Sequence, residues 1–295
     1  MGGQFFSKDI SAADFRSVAR ALTIVENELD GSAALLKSLR FEHESPIVGI
    51  TGPPGAGKST LVNALIEILI SGDKKIAILC IDPTSPFNFG SLLGDRIRMV
   101  SHFNHPDVFI RSVATRGSLG GLSLKTMEMA DILRAAGFDY VIIETVGVGQ
   151  SEVEIAGLAD KTLVVLVPEA GDEIQSIKSG LMEIADAFIV NKADREGAAA
   201  FAGNLRKLVH QKADKIPVFE TIATDLASVE GVASFITSRT EKHNERRELL
   251  LFQRLYTIIQ ARRMANVDRE KLRNDLKKAL GETNLNLYSL ADRYA

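Results

Sequence analysis

The residues best suited to chemistry lie between Gly52 and Thr60, which read GPPGAGKST. Gly52, Gly55 and Gly57 let the backbone turn until successive N–H groups point at one place, an arrangement that suits an anion. Lys58 adds a positive charge that can reach the β and γ phosphates of a nucleotide, and Ser59 offers a hydroxyl to a magnesium ion. Pro53, Pro54 and Ala56 fill the turn, and Thr60 continues it. The order of glycine, four residues, glycine, lysine and serine is a phosphate-loop signature when a strand precedes it and a helix follows. Ile47, Val48 and Ile50 supply the apolar strand. Leu61, Val62, Leu65, Ile66 and Leu69 supply the helix, whose positive dipole end then faces the phosphates.

A magnesium ion beside Ser59 needs a carboxylate at the end of a neighbouring strand. Glu144 in YVIIETVGVGQ stands in such a place, as a Walker B element with Glu for Asp. A solvated strand terminus is the plainer reading of the same residue. Gln150, just beyond, is either a water-positioning amide or an ordinary loop amide.

The base is indicated by FIVNKAD, with Asn191, Lys192 and Asp194 closing another apolar strand. A carboxylate at Asp194 can accept from guanine N1–H and from its exocyclic amino group, whereas adenine lacks that donor pair. GTP and GDP are therefore the expected nucleotides. Lys192 would lie along the base, and Asn191 would tie this loop to the phosphate loop. Ala223 in FETIATD is expected to offer a backbone N–H to the guanine carbonyl, with Ile222 where a serine is common.

These loops need a frame. IVGIT, KIAILCID, DVFIR, FDYVIIE, KTLVVLVP, AFIVNKA and IPVFETI are apolar nearly throughout and alternate with amphipathic stretches. That predicts an α/β fold with a mostly parallel central sheet flanked by helices. Phe15, Val18, Leu22, Val25 and Leu29 recur at helical spacing before Gly31 breaks the pattern, and Leu249, Phe252, Leu255, Ile258 and Ile259 line one side of a charged helix near the other end. The expected division is a helical N-terminal extension at 1–44, a nucleotide-binding domain at 45–240, and a helical C-terminal extension at 241–295 that could mediate dimerisation.

A chain of 295 residues with 45% hydrophobic content can bury a full core, and its net charge of −3 argues against nucleic acid or an acidic membrane as partner. The single Cys80 lies in an apolar run and cannot form an internal disulfide, which suits a reducing cytoplasm. No membrane-spanning run and no signal-peptide order is visible.

Taken in order, GPPGAGKST, CIDPTSPFNFGSLLGDRIRM, RGSLGGLS, ETVGVGQSE, LVPEAGDEIQSIKSGLMEIAD and NKAD resemble the MeaB/ArgK group of P-loop GTPases, which includes the human methylmalonic aciduria type A protein. The resemblance implies a P-loop NTPase fold, usually dimeric, that hydrolyses GTP and chaperones an adenosylcobalamin-dependent acyl-CoA mutase, gating cofactor loading and protecting the mutase. It also implies that Asp82, Asp95 and Glu144 join Ser59 around magnesium and the attacking water. Asp172, Glu173, Gln175 and Lys178 fall in the segment that couples nucleotide state to the mutase. Read from the residues alone, Asp95 suits a helix cap or turn, and Asp172 and Glu173 suit a helix start. Phe87 and Phe89 depart from the group's more polar switch text.

Three other functions remain open from sequence, one of them a binding module in which the nucleotide is structural. A metal-delivery GTPase would need soft or imidazole ligands, for which one cysteine and scattered histidines are a poor supply. His102 and His105 are the close pair and read as a solvated turn. A GTP-dependent metabolite kinase would need an acceptor pocket that no motif locates.

Overall fold

A computed structural model describes residues 9–42, 45–82, 99, 101–114, 124–145, 155–168, 181–210, 216–238, 245–264, 266–280 and 285–294. The chain divides into two compact units, Met1–Asn244 and Glu245–Ala295.

The first unit is built on seven parallel strands: β1 (Ile47–Thr51), β2 (Ile76–Asp82), β3 (Val108–Ala114), β4 (Tyr140–Glu144), β5 (Lys161–Leu166), β6 (Ala187–Asn191) and β7 (Val218–Thr221). Their order across the sheet is β3-β2-β4-β1-β5-β6-β7. Six of the seven apolar runs read from sequence contain one of these strands, and DVFIR covers the first part of β3, which runs on to Ala114. Parallel pairing demands crossovers, and the crossing helices cover both faces, so side chains must be apolar in both directions. β2 shows the alternation. Ile76, Ile78 and Cys80 join one core with α3 (Lys58–Ser71) and α6 (Leu226–Thr237), whereas Ala77, Leu79 and Ile81 join the opposite core.

That opposite core is completed by α1 (Phe15–Glu26), α2 (Ser32–Ser38) and α4 (Leu124–Ala135). Asp14 caps α1 by accepting from the Arg16 N–H, and Val18, Ala21, Leu22 and Val25 are fully buried. Each such aliphatic side chain larger than alanine contributes about 1.5–3 kcal/mol on burial. Phe15 meets Phe109 edge to face with ring centroids 5.5 Å apart and stacks on Phe138 at 6.0 Å. The N-terminal helix is thus a wall of the sheet's own core. A third cluster places α5 (Ala198–His210), through Phe201, Ala202 and Leu205, against Val164, Phe188 and Val190.

Two buried polar groups are tertiary events. Lys161 starts β5 at 5% exposure and donates to the carbonyls of Phe235 and Ser238 at 2.5 and 2.6 Å, so an ammonium closes the C-terminal end of α6. His102 is not the solvated turn residue the sequence suggests: it is 6% exposed, because the turn before β3 folds onto α3. Its Nε2 lies 3.9 Å from Glu67 Oε1, and Asn63 Nδ2 donates to that same oxygen at 3.3 Å.

Burial pushes the His102 pKa below its ordinary value. Glu67 opposes the shift and His105 adds to it. Because the unfolded chain then takes up the proton more readily, the stability this group contributes is complete above about pH 6.5 and is lost as pH falls through the lowered folded value. Wild type should therefore lose more Tm than His102→Gln between about pH 7.5 and pH 5.5, as read by thermal unfolding.

The second unit contains α7 (Glu245–Met264), α8 (Arg269–Ala279) and α9 (Leu287–Ala291). Asp268 caps α8 through the N–H groups of Glu270 and Lys271, and the Tyr294 hydroxyl donates to Asp275 at 2.7 Å. No helix among the described residues is long and apolar enough to cross a membrane.

Candidate nucleotide site

β1 pairs with β4 on one side and β5 on the other, and its carboxyl end opens where the connections diverge to opposite halves of the sheet. Open parallel sheets bind ligands at such a switch point. The loop that leaves β1 there is GPPGAG, and it runs directly into α3 at Lys58.

Glycine is needed at two of its positions for different reasons. Gly52 has φ 138, and a Cβ there would stand 2.0 Å from the Val165 carbonyl oxygen of β5. Gly57 has φ 85, and a Cβ would stand 2.3 Å from Asn191 Nδ2. The first lets the loop hug the sheet; the second lets the base motif reach the loop. Pro54 and Gly55 are exposed at the tip, whereas Gly52 and Ala56 are buried and Pro53 and Gly57 lie between.

Lys58, 7% exposed, donates from Nζ to the Gly52 and Pro53 carbonyls at 2.8 and 3.0 Å. The ammonium therefore lies across its own loop, at the start of a helix whose positive dipole end faces the same way. Ser59, 3% exposed, donates from Oγ to Glu144 Oε1 at 2.7 Å. Thr60 is half-buried behind it. Glu144 is 5% exposed, so the plainer reading of it as a solvated strand end does not hold. A buried hydroxyl and a buried carboxylate, both hard oxygen donors held side by side at a phosphate loop, fit a magnesium ion.

The carboxyl ends of β1 and β4 are locked together next to this pair. The Thr145 N–H donates to the Ile50 carbonyl at 3.0 Å, and Thr145 Oγ1 donates to Thr51 Oγ1 at 2.9 Å, both threonines being buried. Sequence reasoning passed over these threonines. Their only signal is a hydroxyl residue closing each of two apolar strands.

Asn191 is the hinge pin between the two motifs. Its Nδ2 donates to the Ala56 carbonyl at 2.8 Å, and its Oδ1 accepts from Thr221 Oγ1 at 3.2 Å and from the Ala223 N–H at 3.1 Å. The tie to the phosphate loop was legible in the sequence; the tie to the loop after β7 was not. That Ala223 amide, offered by sequence to a guanine carbonyl, is here engaged by Asn191. Lys192 adopts φ 57, a left-handed turn that L side chains seldom take, and the Arg195 N–H closes the turn on the Lys192 carbonyl at 3.0 Å. The strain brings Asp194 out to an exposed position beside the loop after β7, where the Ala193 N–H donates to the Thr221 carbonyl at 3.0 Å.

Asp82 is the last residue of β2, opposite Ala114 and on the strand next to Glu144. Asp95, Gln150, Asp172, Glu173, Gln175 and Lys178 lie outside the described residues, as do Phe87 and Phe89.

A family model for the methylmalonyl-CoA mutase-associated GTPase MeaB matches residues 18–279. The chain belongs to the MeaB family. A Pyrococcus horikoshii protein named "Putative GTPase" is 49% identical over 223 residues, covering 73% of this chain and 70% of that one. The GTPase ArgK of Escherichia coli is 42% identical over 183 residues, with 60% and 55% covered. The mitochondrial methylmalonic aciduria type A homolog of Caenorhabditis elegans is 40% identical over 203 residues, with 63% and 51% covered. Among solved structures, a LAO/AO transport system kinase superposes with a TM-score of 0.66 at 24% identity, covering 98% of this chain and 94% of that one, a likeness of fold. The MeaB match runs from α1 to the end of α8, so the buried N-terminal helix belongs to the family's body.

Proposed function

We propose that this chain hydrolyses GTP to GDP and phosphate, and that its nucleotide state governs an adenosylcobalamin-dependent acyl-CoA mutase of the methylmalonyl-CoA mutase type. It would gate cofactor loading and protect the mutase from inactivation. The observation that carries the nucleotide part is the Asn191 to Ala56 bond, which couples the guanine-type motif to the phosphate loop. Membership of the MeaB family carries the mutase part.

In this reading the amides of Gly55 to Ser59 and the α3 dipole hold the phosphates, while Lys58 balances the charge that spreads over the transferring phosphoryl group. Lys58 would leave the Gly52 and Pro53 carbonyls for phosphate oxygens. Ser59 and Glu144, with Asp82 and Asp95, would hold magnesium, which when bound neutralises phosphate charge. Glu144 orients the Ser59 hydroxyl, and the Thr51–Thr145 bond keeps that carboxylate in place. Gln150 would position water; Asp172, Glu173, Gln175 and Lys178 would pass the nucleotide state to the mutase. Asp194 would select guanine, flanked by Lys192.

The chain is further proposed to be a cytoplasmic homodimer, and what supports the dimer is a helix of the second unit. On α7, Leu249, Phe252, Leu255 and Ile259 are 57, 62, 56 and 42% exposed, an apolar stripe of the kind that marks an interaction surface.

The test is phosphate release from GTP by the purified chain, alone and with each candidate mutase. Stimulation by one mutase and copurification with it are expected. Failure of every mutase to bind or stimulate would remove the chaperone role, and failure to hydrolyse GTP even with a bound mutase would remove the enzymatic one.

A further inference from the structure

The turn between β7 and α6 is closely tied. Beside the Asn191 bonds, the Asp225 N–H donates to the Ile222 carbonyl at 2.7 Å. Ile222 has no hydroxyl to contribute. One arrives instead from the next helix: Ser228 Oγ lies 2.9 Å from both the N–H and the carbonyl of Ile222, and 2.8 Å from the Asp225 carbonyl. A serine bonded to the carbonyl three residues back is ordinary at a helix start. The bond from the Ile222 amide, six residues back, lies outside the helix pattern and closes the turn. A hydroxyl has one proton, so Ser228 accepts from the Ile222 N–H and donates to one of the two carbonyls.

The helix that carries this hydroxyl is firmly seated. Asp225 caps it by accepting from the Ala227 N–H at 3.2 Å, and Val229, Val232 and Ile236 are buried. Phe219 of β7 packs 5.8 Å from Phe235 of this helix. Lys161 holds the far end. Ser228 therefore transfers the rigidity of α6 to Ile222, and through the adjoining Ala223 amide to Asn191.

We propose that Ser228 is a positioning residue for guanine recognition: a hydroxyl on α6 shapes the turn Ile222–Asp225 against Asn191, in place of a serine within the turn. This rests on the guanine reading above. Removing the hydroxyl leaves the half-buried Ile222 amide without its partner, while the carbonyl keeps the Asp225 N–H, and frees the turn to sample other shapes, so a base must then order it on binding.

The experiment measures fluorescent mant-GDP binding to the full chain, competed by GDP, ADP and inorganic tripolyphosphate, for wild type, Ser228→Ala and Ser228→Thr. Ser228→Ala should weaken GDP about fivefold, the factor for one ordinary hydrogen bond, and narrow the GDP to ADP ratio. Tripolyphosphate, which lacks a base, should bind unchanged. Ser228→Thr, which keeps the hydroxyl, should restore GDP binding, and in hydrolysis Ser228→Ala should raise KM with kcat unchanged. Unaltered GDP affinity in Ser228→Ala overturns the proposal. Equal weakening of GDP and tripolyphosphate also overturns it, since the damage would then be to the phosphate loop or the fold. If Ser228→Ala does not fold, Ser228→Cys, close in shape but a weak hydrogen bonder, serves the same comparison. A wild type that binds ADP as well as GDP overturns the guanine reading and this proposal together.

Discussion

Replacing Asp194 by asparagine should turn a preference for GTP into a preference for XTP. Guanine presents two donors along one edge, N1–H and the exocyclic amino group, and a carboxylate accepts both. Asparagine offers one acceptor and one amino group, so its amide meets the guanine amino group donor to donor. Xanthine has a carbonyl at that position and fits the amide. Losing one charge-assisted bond of about 1.5–3 kcal/mol should weaken GTP by about 10–10²-fold, and XTP should gain correspondingly. Competition of GTP and XTP against mant-GDP reads both changes. Asp194 is exposed and closes a surface turn, so thermal stability should hardly move. An unchanged GTP to XTP ratio would place base selection elsewhere.

Lys58→Ala should slow single-turnover phosphate release by about 10²–10³-fold, the usual loss when one donor aimed at developing charge is removed. The side chain is nearly buried, donates to the Gly52 and Pro53 carbonyls of its own loop, and is not part of the apolar clusters that hold the sheet. The variant should therefore fold, and circular dichroism with a thermal melt checks that before kinetics. Phosphate release at the wild-type rate would show that the ammonium is not aimed at the transferring group. Arginine should not rescue, because its planar fork cannot pass the tight turn that a compact ammonium occupies.

Much of this site was readable because local chemistry and local geometry agree in it. The glycines of GPPGAGKST are required by backbone conformation, and the apolar runs that became seven strands are continuous because both faces of a parallel sheet are covered. Asn191 could be assigned to the phosphate loop because the motif brings its own partner. His102 was misplaced for the opposite reason. Its neighbours Ser101, Phe103 and Asn104 are exposed, and nothing local reveals that one residue of that turn points at Glu67, a residue on α3. Ser228 was invisible for a similar reason: its partner Ile222 is close only once β7 and α6 are packed.

The sequence by itself determined the elements, the phosphate loop, the guanine motif and the carboxylate that faces Ser59. Each depends on residues near one another in the chain, or on an apolar period that burial enforces. Only the tertiary structure decided that α1 walls the sheet, that Thr145 and Thr51 clasp the strand ends beside Glu144, and that Lys161 and Ser228 secure the two ends of α6. Most of those bonds join residues far apart in the chain, and the Ser228 bond spans a turn whose shape is set by the packing of β7 and α6; their geometry exists only once the sheet and its helices are assembled.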